Sequence, residues 1–273
     1  NPGWRDSKAR SIAVPLAIDS PYLPPGAVIH SLRVFFAVAL PAYADQRQSA
    51  TALMTPSNQA MQNDMSLNPA LFWIMDGEAL WDDRRNPAVK ACSDCHQDIK
   101  QSMKSISASF PKRVNGKLLN LEGQINQCRT SRQQSPAFAY ESKNLLSLST
   151  LVAYQSRGLP ITASTDPVIE PDYRKGQSLY FQRMGQLNLS CAQCHDDRAG
   201  LKLASSTIPQ GHPTAYPIYR IEWQGVGSLQ RRLRSCVSAV RAEQYAYGSP
   251  ELLALELYLM RRANGMQVES PGV

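Results

Sequence analysis

The sequence predicts a mainly α-helical protein of two tandem modules related by internal duplication. Three observations carry that expectation. The pentad Cys-x-x-Cys-His occurs twice, as "CSDCH" from Cys92 and as "CAQCH" from Cys191. A glycine-led stretch precedes each at the same interval: Gly77-Glu78-Ala79-Leu80-Trp81 and Gly176-Gln177-Ser178-Leu179-Tyr180 both begin 15 residues before the first cysteine of the pentad. Downstream, "AYESKNLLSLSTLVAYQSRGLP" aligns without a gap on "AYGSPELLALELYLMRRANGMQ". Self-similarity at this period organises the whole reading of the 273-residue chain, whose length suits one large domain or two small ones.

Taken in order, residues 1–44 read as a presequence. Arg33 precedes an apolar run from Val34 to Leu40, and Ala42-Tyr43-Ala44 has the small-x-small pattern of a signal-peptidase site. A buried strand is the competing reading of that run. The first module then covers 45–160 and the second 161–273. Each ends in a helix with legible punctuation. Ser249 is an N-cap, Pro250 suits the first helical position, and Gly265 suits the left-handed stop. Leu252, Leu255, Leu259 and Arg262 follow helical spacing between them. Ser142 and Gly158 play the same parts around Leu145, Leu148 and Val152. "LPITASTDPVIEPDY", from Leu159, carries three prolines and reads as the linker.

Cys-x-x-Cys-His is the attachment signature of a c-type haem. Two pentads predict two covalently bound haems c, one on Cys92 and Cys95, the other on Cys191 and Cys194. His96 and His195 are the proximal iron ligands. With scarce strand alternation, the fold class is two class-I-like cytochrome c domains in tandem. Haem attachment of this kind occurs outside the cytoplasm in bacteria, which agrees with an export signal and a periplasmic location. The net charge is +7 without basic runs, and charged residues are 19% of the chain, which leaves nucleic-acid binding without support. No other segment approaches the roughly 18 apolar residues of a membrane span.

The second axial ligand sets what a haem does. Cys128 and Cys236 are the two cysteines outside the pentads, 32 and 41 residues after their histidines. They fall at matching places in the two repeats, so each half's own iron is a natural partner, and thiolate is a suitable ligand for it. A mutual disulfide or two inert buried thiols remain the alternatives. His212 lies in an extra stretch of the second half without a counterpart in the first and reads as a surface loop histidine. His30 lies in the presequence. Met103 and Met184 read as packing residues.

"QRRLRSC" places Arg231, Arg232 and Arg234 just before Cys236. In a helix Arg232 and Cys236 are four apart and share a face. Arg231 and Arg234 point sideways and suit a solvated basic face. A guanidinium beside an iron-binding sulfur is a receptor for a small sulfur oxyanion. Arg241, five residues beyond Cys236, is a weaker second substrate-binding candidate.

The stretches "NPALFWIMDGEALW", "CSDCH", "INQCR", "SCAQCH", "RRLRSC" and "RAEQYAYGSPELLALELYLMRRANG" resemble the dihaem SoxA subunits of the SoxAX cytochromes, over nearly everything from Asn68 to Val273. The resemblance implies an L-cysteine S-thiosulfotransferase in a complex with a small SoxX-type cytochrome c. It implies that thiosulfate is joined to a cysteine of a SoxYZ-type carrier, the first step of thiosulfate oxidation. Electrons then leave through haem to a downstream acceptor cytochrome. Carried over, His96 and Cys128 bind the first iron, and His195 and Cys236 the second. Cys236 matches the family's catalytic cysteine, found there as a persulfide, and Arg232 its substrate-contacting arginine. The stretch between His195 and Cys236 is shorter than the family leads one to expect. Two other functions stay open: a thiosulfate dehydrogenase forming tetrathionate, and a plain dihaem electron-transfer cytochrome, which leaves "RRLRSC" unexplained.

Overall fold

Two helix pairs form the frame, and a glycine sets the closeness of each. In the computed structural model, which describes residues 46–86 and 88–273, the α-helices are α1 (Pro56–Asn63), α2 (Leu71–Trp81), α3 (Cys92–His96), α4 (Ile99–Ser102), α5 (Leu121–Ser131), α6 (Lys143–Tyr154), α7 (Glu170–Phe181), α8 (Cys191–His195), α9 (Leu229–Ala239) and α10 (Pro250–Arg262). The expected presequence, with its Ala42-Tyr43-Ala44 site, lies outside the described residues. Helix α2 packs on α6, and α7 on α10. A Cβ at Gly77 would stand 2.5 Å from the Ser147 carbonyl oxygen, and one at Gly176 would stand 1.9 Å from that of Ala254. The glycines are therefore where the helix backbones touch, and any side chain would force the pair apart.

The cap residues behave as the sequence leads one to expect. The Ser142 and Ser249 hydroxyls accept from the amides of Leu145 and Leu252, and Pro250 opens α10. Gly158 and Gly265 take φ of 78° and 85° after the two helices end. The expected single apolar stripe is exceeded, however. Helix α6 is buried from Leu145 to Ala153 and α10 from Leu252 to Leu259, so both run through the interior and are covered on all sides.

Strands are few, and the described residues are mainly helical. β1 (Lys112–Val114) pairs with β2 (Lys117–Leu119), β3 (Lys202–Leu203) with β4 (Ser206–Thr207), and β5 (Ile218–Arg220) with β6 (Gly225–Gly227), all antiparallel. β6 feeds α9 through Ser228, whose hydroxyl caps the Arg231 amide at 3.1 Å.

The stretch expected as a linker is instead packed. The Gly158 amide donates to the Val268 carbonyl and the Ile161 amide to that of Met266, both at 2.8 Å. Ile161 and Ala163 share a buried cluster with Ala108, Ala263 and Val268. Of its three prolines, Pro167 and Pro171 sit in the first turns of helices, and around Pro160 the pairing to 265–268 supplies the backbone hydrogen bonds.

Candidate functional site

Both cysteine pentads are five-residue helices, and both are capped by their own sequence. Before α8, the Ser190 hydroxyl accepts from the Gln193 amide at 3.3 Å, and Gln193 Oε1 accepts from the Ser190 amide at 2.9 Å, a reciprocal capping box. Before α3, Asp94 Oδ2 accepts from the Ala91 amide at 2.8 Å. An aromatic residue at the end of the preceding frame helix holds the residue after each histidine. Trp81 Nε1 donates to the Gln97 carbonyl at 3.2 Å, and the Tyr180 hydroxyl donates to Asp196 Oδ1 at 2.8 Å. Arg262 closes the second arrangement with a 2.6 Å ion pair to Asp196. The short helix, its cap and the aromatic strut together fix where the two cysteines and the histidine point.

The lone cysteines come from the facing helices. Cys128 lies on α5 and Cys236 on α9. Burial pushes the Cys92 thiol up, and Cys128 is among the groups that act on it electrostatically. Gln133 Nε2 approaches Cys92 Sγ at 3.7 Å and Gln124 Nε2 approaches Cys128 Sγ at 3.4 Å. In the second half, burial pushes the Cys191 thiol up to about 11, with Cys236 the next cause. Burial also raises the Cys236 thiol, against the opposing pull of Arg232, and Cys194 acts on it as well. No disulfide joins Cys128 to Cys236 among the described residues. In each half, two thiols and an imidazole on one short helix face a third thiol on another. That donor set is of the kind that could hold haem c: the two pentad sulfurs would form thioethers, and the histidine and the lone sulfur could ligate the iron.

The halves differ in enclosure. His195 is half-buried, and its Nδ1 stands 2.7 Å from the Pro209 carbonyl oxygen, which leaves Nε2 free to ligate a metal. Gly211, at φ 70°, lets the chain pass over the ring, and a Cβ there would lie 3.3 Å from His195 Cβ. His96 is exposed and tilts against Trp81 at 5.8 Å between ring centroids. His212, expected on the surface, is only 8% exposed, because the extra stretch folds inward over His195.

The arginines beside Cys236 separate sharply. Arg231 stacks over Trp223 at 4.5 Å and lies 4.0 Å from Glu141. Arg234 stacks over Tyr247 at 4.4 Å, donates to Gln244 Oε1 at 2.7 Å and donates to the Tyr245 carbonyl. These two were expected to be solvated and are anchors instead, since aromatic rings and carbonyls of neighbouring segments meet the sides of α9. Arg232 has no ion pair or side-chain hydrogen bond among the described residues. It nevertheless acts electrostatically on Cys236, His195 and Tyr216. Glu222 acts on it electrostatically without forming an ion pair, and a guanidinium with no direct partner beside a half-buried thiol is suited to receive an anion.

Sequence reasoning missed Arg220 and Tyr216. Arg220, on β5, also acts on Cys236 and Tyr216 and pairs with Glu222 at 2.7 Å. Burial pushes the Tyr216 phenol up to about 12. Neither is within helical reach of Cys236 in sequence; only the β5–β6 hairpin brings them to it. Arg241 is not brought there. It sits beyond α9 at φ 58°, where its carbonyl accepts from the Gln186 amide.

Comparison with known proteins gives a consistent picture. Residues 76–161 and 175–268 match the family described as SoxA/TsdA, cytochrome c domain. The L-cysteine S-thiosulfotransferase subunit SoxA of Rhodovulum sulfidophilum is 34% identical over 231 residues, covering 84% of this chain and 80% of that protein. The subunit of the same name from Paracoccus pantotrophus is 33% identical over 219 residues, covering 80% and 75%. The crystal structure of SoxXA from P. pantotrophus superposes with a TM-score of 0.79 at 32% identity, covering 82% of this chain and 85% of that one.

Proposed function

The chain belongs to the SoxA/TsdA cytochrome c family, and from that premise we propose that it is the SoxA-type subunit of a periplasmic L-cysteine S-thiosulfotransferase. It joins thiosulfate oxidatively to a cysteine of a SoxYZ-type carrier. The observation that carries this reading is Arg232, a guanidinium with no direct ion pair among the described residues that acts on the half-buried Cys236 sulfur.

As a cytochrome c, the chain holds haem c covalently. We assign two, on Cys92/Cys95/His96 with Cys128 and on Cys191/Cys194/His195 with Cys236. Haem supplies one-electron acceptance next to each lone sulfur. The remaining chemistry belongs to the protein's own residues. Thiosulfate is a dianion, and Arg232 orients its sulfonate oxygens through a planar fork of donors. Its outer sulfur then points at the sulfur of Cys236. Arg220, on β5, adds a second guanidinium, held in place by its ion pair with Glu222. The partial burial of Cys236 limits the water around its sulfur. In the net reaction, the carrier thiol loses its proton, one S–S bond forms to the outer sulfur of thiosulfate, and two electrons leave. If Cys236 forms that bond first, the carrier thiolate displaces the group and restores Cys236; the covalent stage then splits a two-electron coupling into two easier steps.

The two modules, 45–160 and 161–273, we read as a tandem duplication. Supporting this are the matching glycine crossings of α2 on α6 and α7 on α10, and the matching aromatic struts. A small SoxX-type cytochrome is the proposed partner, supported by the SoxXA likeness. A downstream cytochrome takes the electrons. No helix among the described residues is long and apolar enough to cross a membrane.

The deciding experiment measures product with and without the carrier protein. Carrier-bound cysteine S-thiosulfonate, absent when the carrier is omitted, is the expected result. Tetrathionate formed without carrier would favour the dehydrogenase function, which the SoxA/TsdA family description also accommodates.

A further inference from the structure

The N-terminal ends of α5 and α9 meet around a buried polar cluster that the thiosulfate chemistry does not use. Glu122 lies in the first turn of α5 and is 8% exposed; Glu256 lies in the middle of α10 and is 4% exposed. Both are carboxyls, and no cation pairs with either among the described residues. Asn120, the N-cap of α5, and Gln230, in the first turn of α9, are 3% and 0% exposed. Gln230 is six residues before Cys236, and Glu122 is six before Cys128. The two helices that carry the lone sulfurs thus bring corresponding positions to one place.

The cluster is incompletely bonded in a way that calls for water. Glu256 Oε2, Asn120 Nδ2 and Gln230 Nε2 are all buried without a hydrogen-bond partner. Yet the Gln230 and Asn120 amides are near enough to favour the ionised form of Glu256. Buried polar groups at the margin of direct bonding are bridged by water where space allows. The space is present: a partly open pocket of about 80 Å³ is lined by Asn120, Glu122, Glu256, Thr214 and Tyr216 among others. A single water needs roughly 10–15 Å³ by the same measure.

Other charges around the cluster do not neutralise it. Glu141, before α6, adds a further negative charge, and its own cations are Arg231 and Arg234 of α9. Tyr140 stacks on Tyr247 at 5.9 Å and is a neutral phenol pushed up chiefly by burial. Lys112, above the Phe110 wall of the pocket, donates to the Ser109 hydroxyl at 3.3 Å. Beyond Tyr216 lie Arg220 and Arg232, which act on that phenol and on Cys236. Two carboxyls confined together without a cation cannot both ionise readily, so the pair retains a proton. The α5 end, with its positive dipole, lets the other site carry charge.

We propose that Glu122 and Glu256, bridged by water to Asn120 and Gln230, form a proton-binding site that takes up one proton when either half of the chain is reduced. No heavy-atom bond changes. One electron enters a haem, one proton enters from solvent through the pocket, and a carboxylate of the pair becomes a carboxylic acid. Six residues of helix put each lone sulfur about 9 Å along the axis from this cluster, close enough in a partly dry interior for the charges to interact. The inference rests on haem in each half, not on thiosulfate coupling.

The test is a spectroelectrochemical titration of the haem-loaded chain in its native complex, between about pH 5 and 9, without thiosulfate or carrier. The midpoint potential of at least one haem falls as pH rises, approaching 59 mV per tenfold change in proton concentration at one proton per electron. Reduced-minus-oxidised infrared spectra gain the carbonyl stretch of a protonated carboxylic acid. Glu256→Gln and Glu122→Gln each flatten the slope and remove that band; the two variants back each other up should one fold poorly. Potentials independent of pH in the native protein would overturn the proposal. So would a slope and acid band that persist in both variants, which would place the proton elsewhere, on the haem's own propionates for example. A failed carrier assay with an intact redox-linked acid band would sink the thiosulfate reading alone.

Discussion

Replacing Arg232 by alanine separates an anion receptor from a structural arginine, because the structure gives this side chain nothing else to hold. No carboxylate, carbonyl or ring partners it among the described residues, so its removal orphans no buried group and should leave folding nearly unchanged. What is lost is one charge-assisted contact to a dianion beside Cys236. Such a contact contributes roughly 1.5–3 kcal/mol, or about ten- to a hundredfold in the rate constant for dilute thiosulfate at about 1.4 kcal/mol per tenfold. Arg232→Lys keeps the charge and loses the fork, so recovery is partial. Arg234→Ala is the contrasting variant. It sits on the wrong side of α9 and surrenders the Tyr247 stack, the Gln244 bond and the Tyr245 carbonyl. It should therefore lower the melting temperature while leaving turnover per folded molecule intact. The assay is carrier-dependent thiosulfate coupling, normalised to haem content, with thermal unfolding run on the same samples. If Arg232→Ala lowered stability and not coupling, or if both variants lost turnover equally, the receptor argument would be wrong.

Three further outcomes follow from the geometry. A pyridine haemochrome assay should find two haems per chain, and Cys128→Ala should alter the spectrum of one while the other keeps its low-spin signature; a single haem in the native chain would end the dihaem assignment. Gly176→Ala should destabilise by about 1–3 kcal/mol or more through overpacking, and Gly77→Ala by less, since their Cβ atoms would stand 1.9 and 2.5 Å from opposing carbonyl oxygens. Helix propensity alone would give the opposite sign, so a rise in urea midpoint would refute the close crossing. Stability should also depend on pH through Glu122, whose carboxyl is raised from 4.5 to about 7 chiefly by burial. A raised folded-state value means that the contribution is complete below about 4.5 and is lost as pH climbs through 7, at a slope up to about 1.4 kcal/mol per pH unit for one proton. Denaturant titrations at both ends of that window should show the loss in the native chain and a flatter profile in Glu122→Gln.

The local half of this structure was legible because its signals are local. Caps, proline and glycine announce α6 and α10, since the groups that begin and end a helix are sequence neighbours. The pentads were legible because the same motif recurs at the same distance from a glycine-led stretch, and Cys128 and Cys236 because each is the cysteine left over in its half, 32 and 41 residues after its histidine. Helical periodicity alone places Arg232 beside Cys236. What stayed hidden depends on contacts between distant segments. The segment from Leu159 has the composition of a linker and becomes core only because residues 265–268 come back to pair with it. Arg234 looks like a solvated charge until Gln244, Tyr245 and Tyr247 fold over it.

The same distinction explains why the two lone cysteines, alike in sequence, have different surroundings. Cys128 is approached by the neutral amide of Gln124 on its own helix, and its box histidine is exposed. Cys236 has Arg232 on its own helix, Arg220 arriving from a hairpin, and a box histidine held under the inward-folded stretch around Gly211. Of these, only Arg232 is encoded at helical spacing. The rest comes from residues 209–227, and much of that stretch lies in the part of the second half that has no counterpart in the first. The proposed duplication would account for two sites able to hold the same group. The added segment brings a second cation, Arg220, to the surroundings of Cys236 and closes over His195, which suits the proposed anion chemistry at the second site. Transplanting an arginine alone to the first half, by Gln124→Arg, should accordingly give Cys128 a charged neighbour without conferring thiosulfate coupling when Cys236 is replaced by methionine. Coupling in that double variant would mean that the helix pair suffices and the hairpin is incidental.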